Sequence, residues 1–257
     1  MNRSTEEILQ DLMSQLRDRQ GIPATGVSRK LLVLSTPRSG SSLFCDVLSR
    51  TGLAGDCKEW FNLRYIQAYA SVMNESQVDF NGYLRFVMEK TQTENGVFSV
   101  NVHVEDYVQM LNQKFDPMSI GFDVVVQVSR LNKLKQAVSL ARAWRTDQWT
   151  ADSRSGIAAE KVDLPPALVA SALHHITSSE QTYADNLKQF VQAEFLYEEF
   201  LNLDRPEAFV KTLELLGISE AADFSTTMTV QAGEDSRLAE QNFLNYITAK
   251  PTAPQVL

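Results

Sequence analysis

Soft metal ligands are scarce in this chain: 257 residues carry two cysteines and three histidines. Cys45 and Cys57 allow one bridge but no disulfide framework, and the scattered histidines and cysteines match no zinc spacing. No run approaches the roughly 18 consecutive apolar residues of a membrane span. The first twenty residues, MNRSTEEILQDLMSQLRDRQ, carry charge throughout and lack the apolar stretch of a secretory signal, so a cytoplasmic location is expected. Basic residues are in deficit, 24 Lys and Arg against 32 Asp and Glu, for a net charge of −8. Nucleic-acid and anionic-membrane binding both want a basic face and are disfavoured. An anionic ligand would need a locally basic pocket. No internal repeat or low-complexity tract is present.

What is there is an ordinary globular composition, 44% hydrophobic and 22% charged, with length for one α/β domain or two small ones and a large core. Ile8, Leu9, Leu12, Met13 and Leu16 make one apolar stripe, which predicts a helix over 5–19. LLVL (31–34), GVFSVNVHV (96–104) and FDVVVQVSR (122–130) read as buried strands, and AEFLYEEFLN (193–202) as a short strand turning into a loop. Helices are expected over 42–52, across much of 63–92, and over 104–115, 131–149 and 167–190. A further helix is expected over 205–218, with Pro206 in its first turn and Gly217 at its end, and 234–248 has helical character. TADSRSGIAAEKVDLPP (150–166) is polar and breaker-rich and reads as a mobile loop. Strands alternating with helices predict a mainly parallel sheet with helices on both faces. In such sheets ligands lie at the carboxyl ends of the strands.

The chemistry centres on Thr36-Pro37-Arg38-Ser39-Gly40-Ser41-Ser42. A loop that leaves a strand and opens a helix aims backbone N–H groups and the positive end of the helix dipole at one spot. Gly40 permits close backbone approach, Ser39, Ser41 and Ser42 supply hydroxyls, and Arg38 supplies a permanent charge. A phosphate or sulfate suits this set. The string is not G-x-x-x-x-G-K-[ST], since its first glycine is missing and no lysine follows Gly40. A second element is VVVQVSR (124–130) followed by QAVS (136–139). There Arg130 leaves a strand and Ser139 lies nine residues on, in the next helix, and together they could hold a second phosphate.

Together these stretches resemble the PAPS-dependent sulfotransferases (donor 3′-phosphoadenosine-5′-phosphosulfate), and more closely the bacterial Stf0-type family, which includes trehalose 2-sulfotransferases. The resemblance rests on residues 31–61, 96–103, 124–149 and, more loosely, 195–218. It implies the three-layer, P-loop-like sulfotransferase fold over 1–257 as a single domain. Residues 1–25 would form an N-terminal helical extension, with 150–166 a loop within the domain. It implies transfer of a sulfuryl group from PAPS to a hydroxyl of a small acceptor, with carbohydrate the favoured class, without a metal ion. Arg38, Ser39, Gly40, Ser41 and Ser42 match the family loop around the 5′-phosphosulfate. Arg130 and Ser139 match the pair at the 3′-phosphate. Glu59, in GDCKEWF, matches the glutamate proposed as general base, and His103, in NVH, falls where many sulfotransferases have a base histidine. Asn101 departs from the family, which commonly has lysine there. The end segment 231–243 resembles the family's only faintly, so no donor contacts are assigned to it. Oligomeric state is not readable from the sequence, with a homodimer left open.

Glu59 is the first choice of base and His103 the second, and the two could act as a pair. Burial beside Trp60 and Phe61 would raise the Glu59 carboxyl, with a nearby arginine opposing. Other polar residues have plainer readings. His174 and His175 are adjacent in a predicted helix and do not share a face. Trp144 and Trp149 suit a core or interface, Arg142 and Arg145 a helix surface, and Tyr197-Glu198-Glu199 the closing of a strand. Two other classes stay open. A P-loop kinase or nucleotide hydrolase lacks its lysine and a strand-end aspartate for magnesium. A non-catalytic nucleotide-binding domain of the same fold is the other.

Overall fold

A computed structural model describes residues 4–149, 162–204, 206–228 and 234–249. Four strands form one sheet: β1 (Arg29–Ser35), β2 (Val97–His103), β3 (Val124–Ser129) and β4 (Ala193–Leu196), in the order β2-β1-β3-β4. Every pairing is parallel, the arrangement expected of strands so rich in valine and leucine and buried on both faces. The chain leaves β1 for β2 on one side and then returns to build β3 on the other. That reversal opens a crevice at the carboxyl ends of β1 and β3.

The period of two along each strand sorts the two faces. Leu32 and Leu34 of β1, with Phe98, Val100 and Val102 of β2, pack beneath α1 (Thr5–Asp18), α3 (Leu63–Met73), α4 (Phe80–Thr91) and α5 (Val104–Asn112). Leu31 and Val33, with Val124, Val126, Val128 and Phe195, pack against α2 (Ser41–Arg50) and α9 (Glu207–Leu215). Phe44 of α2 anchors this second face among Phe195, Phe200 and Phe209, with ring centroids 5.2 to 5.5 Å away. A third cluster joins α6 (Lys133–Thr146), α7 (Pro166–Asn186) and α10 (Glu234–Thr248) through Leu140, Val169, Ile176 and Phe243. The result is the α/β layering of a sulfotransferase-type fold.

The expected stripe on α1 is the one buried: Leu9, Met13 and Leu16 face the core. Ser4 and Glu7 close a capping box at its start. The helix expected over 131–149 ends at Thr146, because Asp147 turns left-handed at φ 53°. The stretch after β4 is no loop at first but a one-turn helix, α8 (Tyr197–Phe200). Of the loop expected at 150–166, residues 150–161 lie outside the described residues, and 162–165 run irregularly into α7. Residues 231–233 of the end segment also lie outside them. Among the described residues no helix is long and apolar enough to cross a membrane.

Candidate active site

The 36–40 turn leaves β1 and delivers the chain into α2 with two unusual backbone positions, Arg38 at φ 62° and Gly40 at φ 97°. Gly40 is the N-cap of α2, and no side chain caps that end, so the first N–H groups of the helix face the turn. Glycine is required here. A Cβ at residue 40 would lie 2.3 Å from Cδ2 of Tyr197. Gln136, fully buried in α6, pins the turn from behind: its Nε2 donates to Thr36 Oγ1 at 2.9 Å and to the Pro37 carbonyl at 2.8 Å.

The two anion elements expected from the sequence come together. Arg38 Nε donates to Ser139 Oγ at 2.9 Å, and an Arg38 terminal nitrogen donates to the Trp149 carbonyl at 2.6 Å. Arg130 lies over the Tyr197 ring, 4.9 Å from its centroid, and Tyr197 is the residue against which Gly40 is packed. Two polar atoms at this crevice are buried without a hydrogen-bond partner among the described residues, Ser39 Oγ and Arg130 Nε. Such orphans are costly unless something else satisfies them. Ser41 is buried and Ser42 is exposed on the first turn of α2. The Arg38 guanidinium is pushed down chiefly by burial and by Arg130, against the pull of Glu59.

Glu59 reaches the same crevice along the edge of β2. The segment before it bridges to that strand, with the Asn101 N–H donating to the Lys58 carbonyl at 2.9 Å. Trp60, fully buried, fixes the turn by donating from Nε1 to the Asp56 carbonyl at 2.7 Å, and its own carbonyl accepts from the Tyr83 hydroxyl. The outcome is an ion pair, His103 Nε2 to Glu59 Oε1 at 3.2 Å, with side chains 10% and 30% accessible. Burial alone would raise the Glu59 carboxyl, but His103, Arg38 and Arg64 outweigh it and hold the group below its usual range. The opposing arginine effect therefore wins. Burial alone would lower His103, but Glu59 first, then Asp106 and Glu105, lift it to about 9. Asp106, on the first turn of α5, is pushed up to about 6, mainly by burial, and accepts from Asn62 Nδ2 at 3.2 Å.

Several participants were not legible as such. Tyr197, the first residue of α8, is a wall of the crevice. Glu198 accepts from the N–H groups of Leu131 and Asn132 and so fixes the exit from β3. Trp149 offers its carbonyl to Arg38, and Arg64 lies 5.5 Å from its ring centroid. The Asn101 side chain, where a lysine was anticipated, reaches Ser41 Oγ at 3.2 Å. The alternation in VFSVNVH carried a signal for it: Ser99, Asn101 and His103 put a polar series on the α2 side of an otherwise apolar strand. His175 pairs with Glu105 and packs edge-on to Trp144. The thiols of Cys45 and Cys57 are buried and their sulfurs lie 2.8 Å apart, unbridged.

A strand-to-helix turn with an arginine in place of the Walker lysine thus meets a second arginine and a carboxylate–imidazole pair, a set suited to an oxyanion. The model of the Stf0 sulphotransferase family matches residues 30–196. The chain belongs to that family. The match begins one residue into β1 and ends with β4, so all four strands and both anion elements of this Stf0 sulphotransferase lie inside it. No curated protein matches the chain. The four strands end at Ser35, His103, Ser129 and Leu196, and none ends in the aspartate that a magnesium-dependent phosphotransferase uses.

Proposed function

We propose that the protein transfers the sulfuryl group of PAPS to a hydroxyl of a small, polyhydroxylated acceptor. The observation that carries this reading is the convergence at the β1/β3 crevice, where Arg38 is bonded to Ser139 while Arg130 and Gly40 meet on Tyr197. The donor carries its activated sulfuryl group at one anionic end, the 5′-phosphosulfate, and a 3′-phosphate at the other, and the chain supplies two cationic elements at one crevice. The orphaned Ser39 hydroxyl and Arg130 Nε fit an anionic ligand. In this assignment the 38–42 turn binds the phosphosulfate, and Arg130 and Ser139 bind the 3′-phosphate.

Charge that develops on the sulfonate oxygens is met by Arg38, by the Ser41 and Ser42 hydroxyls and by the N–H groups at the start of α2. Glu59, held ionised, accepts the acceptor's hydroxyl proton. His103, as the imidazolium, orients that carboxylate through the 3.2 Å contact. The carboxylates and amides on the Glu59 side, Asp106 and Asn62 among them, suit a ligand rich in hydroxyls. The reading is tested by calorimetry with PAP (the desulfated donor), ATP and GTP without magnesium, followed by turnover of PAPS against a panel of sugars and alcohols. Tight binding of PAP alone supports it. Preference for ATP or GTP, or binding that requires magnesium, sinks it.

A further inference from the structure

Strand register sets Ser35 of β1 directly opposite His103 of β2, with Val33 opposite Asn101. Paired residues in a parallel sheet share a face, so Ser35, Asn101 and His103 all project toward α2. They are bonded in series. His103 Nδ1 lies 2.9 Å from Ser35 Oγ, the Ser35 hydroxyl donates to Asn101 Oδ1 at 2.7 Å, and Asn101 Nδ2 donates to Ser41 Oγ at 3.2 Å. All four residues are buried. The series links the Glu59–His103 pair to the first helical residue of the anion turn.

Its direction follows from counting protons. An imidazolium paired with Glu59 through Nε2–H also carries a proton on Nδ1, and that N–H can only donate. Ser35 Oγ therefore accepts from His103, and its single proton must point to Asn101. The amide then presents oxygen to Ser35 and NH2 to Ser41. Because Ser41 Oγ accepts from Asn101, its own proton stays available to a ligand at the turn. Turning the amide round would reverse every bond. Ser41 would then spend its proton on Asn101, and Ser35 would donate to an Nδ1 that must be bare.

We propose that Ser35 and Asn101 are positioning residues, carrying one directional hydrogen-bond chain that ties the protonation of the Glu59–His103 pair to the donor capacity of Ser41. The proposal rests on the donor-site reading above. In the ion-paired state, proton acceptance at one end and anion stabilisation at the other are set together. The valine or leucine usual in such strands could not transmit that state, which accounts for two polar side chains buried in the sheet.

The test uses the full chain labelled with 15N-histidine. His103 resonances are assigned with His174→Gln and His175→Gln variants, and PAP affinity is measured in parallel by calorimetry. The charges around His103 are Glu59 at Nε2, Glu105 and Asp106 from α5, His175 from α7, Arg38 from the turn and Arg64 from α3. All of them stay in place in both variants below. In the unsubstituted chain both His103 nitrogens are expected to be protonated at pH 7. Ser35→Ala removes the acceptor of Nδ1–H and lowers the His103 midpoint by about one pH unit, with PAP affinity falling ~3- to 10-fold as Asn101 loses its anchor. Asn101→Asp raises the midpoint by about one unit and weakens PAP at least ~10-fold, because the carboxylate claims the Ser41 proton. A purely structural role leaves the Ser35→Ala midpoint unmoved, whereas a carboxylate at 101 raises the midpoint by its charge alone. Ser35→Ala, which removes one atom, carries the test should Asn101→Asp fail to fold. An unmoved midpoint with unchanged PAP affinity in Ser35→Ala overturns the proposal. Absence of PAP binding to the unsubstituted chain, with the midpoint shifts present, overturns the donor reading and leaves the hydrogen-bond chain standing.

Discussion

Gly40→Ala is the sharpest perturbation of the crevice, and Gly52→Ala is its control. Both glycines have positive φ, 97° and 68°, so an alanine at either costs about 1–2 kcal/mol in backbone conformation. They differ in surroundings. Nothing lies within 4 Å of a Cβ at residue 52, whereas at residue 40 the Tyr197 ring lies at 2.3, 3.0 and 3.1 Å. That ring is clamped, with Arg130 over one face and Phe200 edge-on at 5.9 Å, so it cannot swing away freely. Overpacking of this kind costs about 1–3 kcal/mol more. Gly52→Ala is therefore expected to lose about 1 kcal/mol, and Gly40→Ala about 3 kcal/mol. Urea unfolding reads both from the midpoint shift at constant slope. Gly40→Ala should also weaken PAP binding at least tenfold, because a displaced Tyr197 moves Arg130. The double variant Gly40→Ala/Tyr197→Ala should lose less than the sum of its parts, since the clash is gone. Equal losses for Gly40→Ala and Gly52→Ala, with normal PAP affinity, would refute the reasoning.

Arg38→Ala removes charge-assisted bonds worth about 1.5–3 kcal/mol each to an anion, so PAP affinity should drop by about 100-fold or more by calorimetry. Unchanged affinity would count against the turn as the phosphosulfate site. Glu59→Gln should leave PAP affinity within about threefold while turnover falls by about 10²–10⁴, read as the rate of PAP release with a competent acceptor. If Glu59→Gln turns over normally and His103→Ala is inactive, the base is His103. Asp106 has its carboxyl raised from 3.8 to about 6 in the fold. Its contribution is fully present below pH 3.8, where it is neutral in both states, and is lost as pH rises through 6. Asp106→Asn should thus stabilise the protein by about 1–3 kcal/mol at pH 7.5 and by about half as much at pH 5. Chemical unfolding at the two pH values checks the sign.

How much of this was legible in the sequence depended on whether the signal was local. Valine-rich β3 and the strand–turn–helix at 31–50 announce themselves because period, turn chemistry and helix start coincide within twenty residues. The stripe on α1 is legible for the same reason. Arg38, Arg130 and Ser139 can be singled out because each belongs to such a unit. What could not be read was which distant residue closes each contact. Tyr197 meets Gly40 across more than 150 residues, Gln136 pins Thr36 from 100 residues away, and Asn101 meets Ser41 only through the register of β1 with β2. Such pairings are decided by sheet order, which no window of sequence contains. The helix end at Asp147 was missed for a different reason, as a left-handed aspartate carries little of the signal that a glycine would.

The charge arrangement explains how a chain of net charge −8 can address a ligand with several negative charges. In the proposed reaction, a carboxylate facing the 38–42 turn should repel the donor, yet Glu59 must be ionised to take a proton. In that reading His103 resolves the conflict by staying cationic up to about pH 9 and pairing with one oxygen of Glu59. Together the pair presents almost no net charge to the donor, while Arg38 and Arg130 present two positive charges. The same arrangement makes the pair respond to occupancy. An added anion near Arg38 partly cancels the pull that keeps Glu59 low, which moves the carboxyl upward toward a more basic range. In the proposed reaction Glu59 thus becomes a stronger proton acceptor once the donor is bound.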